Sequence, residues 1–348
     1  MSHSKIRIIY VGGTKRAFTS LKKILQRNDI EILFAIFQKD YPHDEQWHPM
    51  LEKLAGENNI QYITYDSMDK LHNETKLKIQ NLKADVIICG GVWRIILTED
   101  VLRSARHGFI GVHGSLLPEY RGFAGINWYV INNEKEYGMQ LFQLNEKIDG
   151  GLLVYRNNGT SFKGKINLNT EKTMGEILNE ADELTSSLLM EFLDVFKRKE
   201  FKLIKQNEND ATWTCHRGPD DGEINWRRST LEIYNFIRAQ SHPYPGAFSY
   251  YKNKKFKIWT TSIPQNSKKF VGRIPGKVVD RTNNYVEVLT GDGILRLEEI
   301  TVDNKKIIPS KFINSIRETL GYNQIKAFQD FDERISNLEK NFKKINYQ

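Results

Sequence analysis

The feature that most constrains this chain is the alternation of short apolar runs with amphipathic stretches over its first ninety residues. Residues 5–11, Lys-Ile-Arg-Ile-Ile-Tyr-Val, read as a buried strand ended by Gly12-Gly13. Residues 15–27 then carry helical spacing at Phe18, Leu21, Ile24 and Leu25. A strand over 30–37, a helix over 46–57, a strand over 60–65, a helix over 70–82 and the strand Asp85-Val-Ile-Ile-Cys-Gly90 continue the series. This alternation predicts a parallel sheet covered by helices on both faces. Ligands of such sheets sit at the carboxyl ends of the strands, so the loops after residues 11, 90 and 113 are the places to inspect. Gly12-Gly13 lacks the third glycine of a dinucleotide fingerprint and reads as an ordinary strand-to-helix turn.

The pattern changes downstream. Residues 173–197 form one long amphipathic helix, and the polar, charged stretch 198–212 marks a boundary. A helix over 229–240 follows, then short strands near 246–251, 255–262, 275–281, 284–289 and 294–301, separated by turn residues. The expected fold class is α/β: a Rossmann-like parallel-sheet catalytic domain over 1–205, a small OB-fold-like β-barrel domain over 206–320, and a helical tail over 321–348. In the tail, Phe328, Phe331, Ile335, Leu338, Phe342 and Ile345 are spaced 3, 4, 3, 4, 3. That row reads either as the seam of a homodimer or as a helix packed on its own domain.

Composition narrows the function. Lysine and arginine total 51 against 43 acidic residues, a formal charge of +8. Such a balance fits nucleic acid, but it equally fits small anionic substrates, and the lysines are dispersed rather than clustered. No stretch approaches the ~18 apolar residues of a membrane span, and the opening run Ile8–Val11 is too short for a signal-peptide core. A cytoplasmic location without a membrane partner is the expectation. Cys89 and Cys215 offer neither a disulfide framework nor a four-cysteine zinc site, and no metal is expected.

The most informative stretch is Phe109-Ile-Gly-Val-His-Gly-Ser-Leu-Leu-Pro-Glu-Tyr-Arg-Gly122, which puts His113 where a strand leaves the sheet. Farther on, Leu144-Asn-Glu-Lys-Ile-Asp-Gly-Gly151 places Asp149 before two glycines. A carboxylate beside an imidazole fixes its tautomer and stabilises the imidazolium, the basis of general acid–base work. On residue types alone, a histidine and an aspartate this far apart are more often structural residues.

The full string His-Gly-Ser-Leu-Leu-Pro with Tyr120-Arg121-Gly122, followed by Ile148-Asp149-Gly150-Gly151, resembles the signature of the folate-dependent formyltransferases. Gly90-Gly-Val-Trp-Arg-Ile-Ile96, Thr173-Met-Gly-Glu-Ile-Leu178, Arg217-Gly-Pro-Asp-Asp-Gly-Glu-Ile-Asn-Trp226 and Arg238-Ala-Gln-Ser-His-Pro-Tyr-Pro-Gly-Ala-Phe248 extend the resemblance over roughly residues 5–320. It implies transfer of a formyl group from 10-formyltetrahydrofolate to a primary amine. His113 and Asp149 would be the catalytic pair. Gly91, Val92, Trp93, Arg94, Ile95 and Ile96 would hold the folate. Ser115, Leu116, Leu117, Tyr120, Arg121, Gly122 and Trp128 would meet the substrate, with Tyr120, Trp93 and Trp128 able to stack on a base or sugar or to serve as core.

One departure stands at the catalytic centre. Where the family usually carries an asparagine that helps stabilise the oxyanion, this chain has Gly111. Either a backbone N–H, a water or His113 suffices, or Asn127 substitutes, or the chain is a weak or inactive relative. Of the family's two main branches, the methionyl-tRNA formyltransferases carry a basic loop after the second strand. Here Phe37-Gln-Lys-Asp-Tyr-Pro-His-Asp-Glu-Gln-Trp47 is acidic to neutral. The expected acceptor is therefore the amino group of a dTDP- or UDP-linked deoxyamino sugar for cell-surface polysaccharide such as lipopolysaccharide O-antigen, with no nucleic-acid partner.

Overall fold

The protein is described by a computed structural model that covers residues 5–42, 44–66, 70–95, 98–169 and 172–346. The first elements follow the expected alternation: β1 (Ile6–Gly12), α1 (Thr14–Ile24), β2 (Ile30–Gln38), α2 (His48–Glu57), β3 (Tyr62–Tyr65), α3 (Asn73–Leu82), β4 (Val86–Cys89), α4 (Glu99–Leu102) and β5 (Phe109–His113). After them come β6 (Arg121–Gly122), α5 (Gly125–Ile131), β7 (Glu136–Gln143), β8 (Leu153–Arg156), β9 (Lys163–Asn167), α6 (Met174–Arg198), β10 (Phe201–Ile204) and β11 (Trp213–Thr214). In β1 only Arg7 is exposed and β4 is buried throughout, as a sheet covered on both faces requires.

The main sheet has the order β10-β8-β7-β5-β4-β1-β2-β3, with β9 paired to β7. Strands β3, β2, β1, β4 and β5 are parallel, whereas β7, β8 and β10 add antiparallel. The order reverses at β1, which leaves a switch point between the carboxyl ends of β1 and β4. There the backbones of Gly13 and Val92 bridge the two loops with N···O distances of 3.0 and 3.3 Å. A Cβ on Gly91 would stand 2.5 Å from the Gly13 carbonyl oxygen, so only glycine lets the loops meet.

Helix α6 begins where Thr173 and Glu176 cap each other: Glu176 N–H donates to Thr173 Oγ1 at 3.3 Å, and Thr173 N–H donates to Glu176 Oε2 at 2.8 Å. It packs on α1 around a buried Arg16–Asp182 ion pair at 3.1 Å. Burial pushes the Asp182 carboxyl up, and the guanidinium of Arg16 offsets part of that.

The chain divides into two compact units, Met1–Arg217 and Gly218–Gln348. The sequence places the boundary at 205/206; the structure keeps residues 206–217 with the first unit, because β11 pairs with β6 and Gln206 and Glu208 bind Arg121. The second unit holds α7 (Thr230–Arg238), β12 (Ala247–Tyr251), β13 (Lys254–Ser262), β14 (Val278–Arg281), β15 (Val286–Leu289), β16 (Ile294–Val302), β17 (Lys305–Ile307), α8 (Pro309–Phe312) and α9 (Gln324–Asn346). Its antiparallel sheet runs β12-β13-β16-β15-β14, with β17 on β16. No ladder joins β12 to β14 among the described residues. Residues 318–321 lie between these edges instead: Val278 N–H donates to Glu318 O (3.1 Å) and Gly321 N–H to Tyr250 O (2.9 Å). Ile233, Ile237, Ile258, Val288 and Leu297 fill the core beneath.

The apolar row of α9 does not pack on its own domain. Phe328, Phe331, Ile335, Leu338 and Phe342 are between 51% and 71% exposed; the side chain of Ile345 lies outside the described residues. Among the described residues no helix is long and apolar enough to cross a membrane. Among the described residues no group of three or more His, Cys, Asp or Glu stands ready for a metal ion.

Candidate active site

His113 is the last residue of β5 and so stands at the carboxyl edge of the sheet, beside the switch point. Its Nδ1 lies 3.4 Å from Asp149 Oδ1, and its Nε2 lies 3.0 Å from the Tyr120 carbonyl oxygen. Residues 36 positions apart are thus brought into one cluster, as the sequence signature predicts. Each ring nitrogen faces an oxygen; a neutral imidazole carries one N–H and can donate to only one of them. Asp149 is held in turn, since its Oδ2 accepts the Gly122 N–H at 2.7 Å. Both Asp149 (φ +50°) and Tyr120 (φ +54°) sit in the left-handed region that non-glycine residues seldom occupy. Strain of that kind concentrates at functional sites and persists only where the surroundings enforce it.

What enforces it is a layer the sequence reading missed. Gln206 Nε2 donates to the carbonyls of Asp149 (2.7 Å) and Gly151 (2.8 Å). Gln206 Oε1 accepts from Arg121 Nη2 (2.7 Å), whose guanidinium also pairs with both oxygens of Glu208 (2.9 and 3.0 Å). The Arg121 side chain is 3% exposed and fully engaged, so it braces the site instead of reaching for a ligand. The hydrogen bond from Arg121 holds the Glu208 carboxyl below its usual range. A signal did exist: an arginine inside a buried signature must find a carboxylate somewhere.

The other expected substrate residues divide. Ser115 is buried and donates to Glu119 O at 2.6 Å, Leu116 lies against Gly138, and Leu117 packs with Phe142 and Leu153. Tyr120 stacks near Tyr129 (4.1 Å between centroids) and hydrogen-bonds Glu134. These hold the turn. Gly122 supplies the N–H to Asp149, and Trp128 donates from Nε1 to Cys215 O (2.9 Å) with Arg217 5.1 Å from its ring. Trp213 in β11 and Phe123 just after β6 are 64% and 48% exposed, two aromatics that no sequence pattern marks.

Gly111 pairs with Cys89 across the β4–β5 ladder. A Cβ there would lie 3.0 Å from Cys89 Cβ and 3.2 Å from Leu144 Cδ1. The volume beside Gly111 is therefore filled by the neighbouring side chains, not left open. Burial pushes the Cys89 thiol up to about 12, so it is a packing group there. Asn127 is buried on α5.

The expected folate loop is anchored at Val92 and Arg94. Arg94 N–H donates to Gln38 Oε1 at 2.7 Å, and its guanidinium lies 4.3 Å from the Tyr41 ring and 4.0 Å from Asp44. Ile95 is buried and Trp93 is partly buried near Phe109; Ile96 lies outside the described residues. Among the described residues Trp93 Nε1, Arg94 Nη1 and Gln38 Nε2 are buried donors without a hydrogen-bond partner. A cavity of about 520 Å³ lined by residues including Arg103, His107, Gln143, Leu144 and Lys147 adjoins the hairpin that leads to Asp149, but not His113 or Asp149 themselves.

Two family models match this chain: formyl transferase over residues 5–192 and formyl transferase, C-terminal domain, over residues 218–317. The chain belongs to the formyl transferase family. A methionyl-tRNA formyltransferase of Alkaliphilus oremlandii is 30% identical over 306 residues, covering 86% of this chain and 93% of its own. Among solved structures, the sugar 3N-formyl transferase WlaRD superposes with a TM-score of 0.60 at 21% identity over 88% of this chain and all of its own. An N-formyltransferase of Helicobacter canadensis, solved with folinic acid and dTDP-3-aminofucose, gives 0.60 at 19% identity over 84% of this chain and 99% of its own. These likenesses confirm the α/β formyl transferase fold with its separate antiparallel domain.

Proposed function

We propose that this formyl transferase moves a formyl group from 10-formyltetrahydrofolate to the amino group of a dTDP- or UDP-linked deoxyamino sugar. The product would serve cell-surface polysaccharide such as O-antigen, and the reaction belongs in the cytoplasm, where both substrates reside. One observation carries the choice of acceptor. The loop after β2 sets one Lys39 against Asp40, Asp44 and Glu45 in charge, and Asp40 is buried. Asp40 Oδ2 accepts the N–H groups of Trp47 and His48 at the start of α2 (2.7 and 2.9 Å), while Tyr41 and Asp44 engage Arg94. An acidic loop committed to its own domain has nothing with which to follow a phosphate backbone. The exposed Trp213 and Phe123 suit a nucleoside and sugar instead.

The residues present fit a folate. The unpartnered donors on Trp93, Arg94 and Gln38 match the carbonyl and ring-nitrogen acceptors of a pterin and the carboxylates of its tail. The folate supplies an activated formyl carbon. Asp149, 3.4 Å from Nδ1, keeps the imidazole of His113 in place. His113 Nε2–H, released from the Tyr120 carbonyl, would polarise the formyl oxygen, which compensates for Gly111. Asn127 remains a candidate second donor. A preorganised donor of this kind is worth ~3–4 kcal/mol.

The relatives named methionyl-tRNA formyltransferase support a second acceptor, the amine of a charged tRNA. Incubation of the protein and 10-formyltetrahydrofolate with dTDP-, UDP- and GDP-linked amino sugars and with methionyl-tRNA, read by mass spectrometry, separates the readings. Gain of one formyl group on a nucleotide sugar is expected. Formylation of the tRNA alone overturns the acceptor, and binding without transfer marks an inactive relative.

A further inference from the structure

The exposed face of α9 has the chemistry of a specific partner surface. Asn323 Oδ1 caps the helix by accepting the Lys326 N–H at 2.9 Å. Every described side chain from residue 328 to 340 is exposed. A row of large apolar groups in water is unfavourable and marks an interaction site. We propose that α9 pairs with α9 of a second copy of this chain as a parallel, in-register, two-stranded coiled coil.

The heptad frame follows from the spacing. Phe328, Ile335 and Phe342 take the a positions, and Phe331, Leu338 and Ile345 the d positions. Arg334 then falls at g, and Asp332 and Glu339 fall at e. In a parallel pair the g residue meets the e residue of the next heptad on its partner. That sets Arg334 against Glu339 of the second copy, twice by symmetry. An antiparallel pair would bring e against e, placing Asp332 opposite Glu339 twice, like charge on like. The central Ile335–Leu338 layer also has a β-branched residue at a and leucine at d, the combination that selects two strands. A membrane surface is a poorer occupant, because residues 324–346 carry five basic and four acidic side chains, not the basic polar face such helices need.

The test is the mass of the full chain by light scattering and sedimentation equilibrium. The unmodified protein is expected to be a dimer, and Leu338→Asp to make it a monomer with formyl transfer unimpaired. Arg334→Glu and Glu339→Arg should each weaken the dimer roughly fivefold to tenfold, as two facing ion pairs become repulsions, and the double variant should restore it. In a Cys215→Ser background, Leu338→Cys should oxidise to a disulfide between copies. A monomeric parent, or a dimer that survives Leu338→Asp, overturns the proposal. A dimer tightened by Glu339→Arg alone overturns its parallel arrangement.

Discussion

Two loop clusters at the carboxyl edge of the same sheet are built in opposite ways. Around His113 the polar groups are tied to the chain itself: Asp149 to Gly122, Gln206 to Asp149 and Gly151, Arg121 to Gln206 and Glu208. Around Arg94, three buried donors have no hydrogen-bond partner among the described residues. A buried donor left unsatisfied costs ~1–3 kcal/mol, and natural folds seldom tolerate three in one place unless something else binds there. On the proposed function the contrast separates two tasks: groups that act in the reaction are braced in advance, whereas groups that would recognise the folate are left unpaired by the chain.

The largest test of this contrast is at the braced cluster. His113→Ala or Asp149→Asn should lower turnover at least ~100-fold with the fold intact, the scale of a lost positioned acid–base group. Near-normal turnover of His113→Ala, with an unchanged melting profile, would remove the pair from the mechanism.

Gly111→Asn comes next. Against Cys89 and Leu144 the new side chain overpacks the strand, which typically costs ~1–3 kcal/mol. A lower melting temperature and unchanged or reduced turnover are expected, with stability partly recovered by adding Cys89→Ala. A tenfold gain in turnover would instead identify a degraded oxyanion site.

Gln206→Ala should cut kcat by about fivefold while KM holds, because one brace of Asp149 is worth ~1 kcal/mol. Steady-state kinetics that show only a KM change would break the bracing account. The same brace has a pH signature. Glu208 is held below its usual range, so its contribution is present above the ordinary carboxylate pKa and fades as pH falls through the depressed value. Acidification should therefore loosen residues 206–217 in hydrogen exchange, and Glu208→Gln should flatten that response.

The smallest effect belongs to the unpaired cluster. Trp93→Phe removes a donor that nothing in the chain satisfies, so thermal stability should hold or rise slightly. Folate affinity measured by calorimetry should fall by a factor of a few, the worth of one neutral hydrogen bond at ~0.5–1.5 kcal/mol. A variant that loses stability and keeps its folate affinity would reverse the roles assigned to the two clusters.

The alternation through β5 was legible because buried parallel strands and amphipathic helices each impose a period, and His113 and Asp149 because their strings are distinctive. Arg121, expected to meet the substrate, is instead engaged within the chain. Its charge is answered by Gln206 and Glu208, some 85 residues away in a stretch whose polarity resembles a linker. Trp213 and Phe123 were invisible for the same reason: a two-residue ladder between distant segments has no period to detect. The apolar row of α9 was legible in its spacing, but spacing cannot distinguish a face covered by its own domain from one left bare.

The clamp of Arg121 on residues 206 and 208 also fixes where such a protein can be recombined. The two family matches end at 192 and begin again at 218, so the clamped stretch belongs to neither. A chimera spliced at 205/206 would draw residues 206–217 from a foreign parent and deprive Asp149 of its own support, even with every signature residue retained. A junction at 217/218 carries the stretch along with the strands it serves. The first compact unit thus extends about 25 residues past the end of its family match at 192.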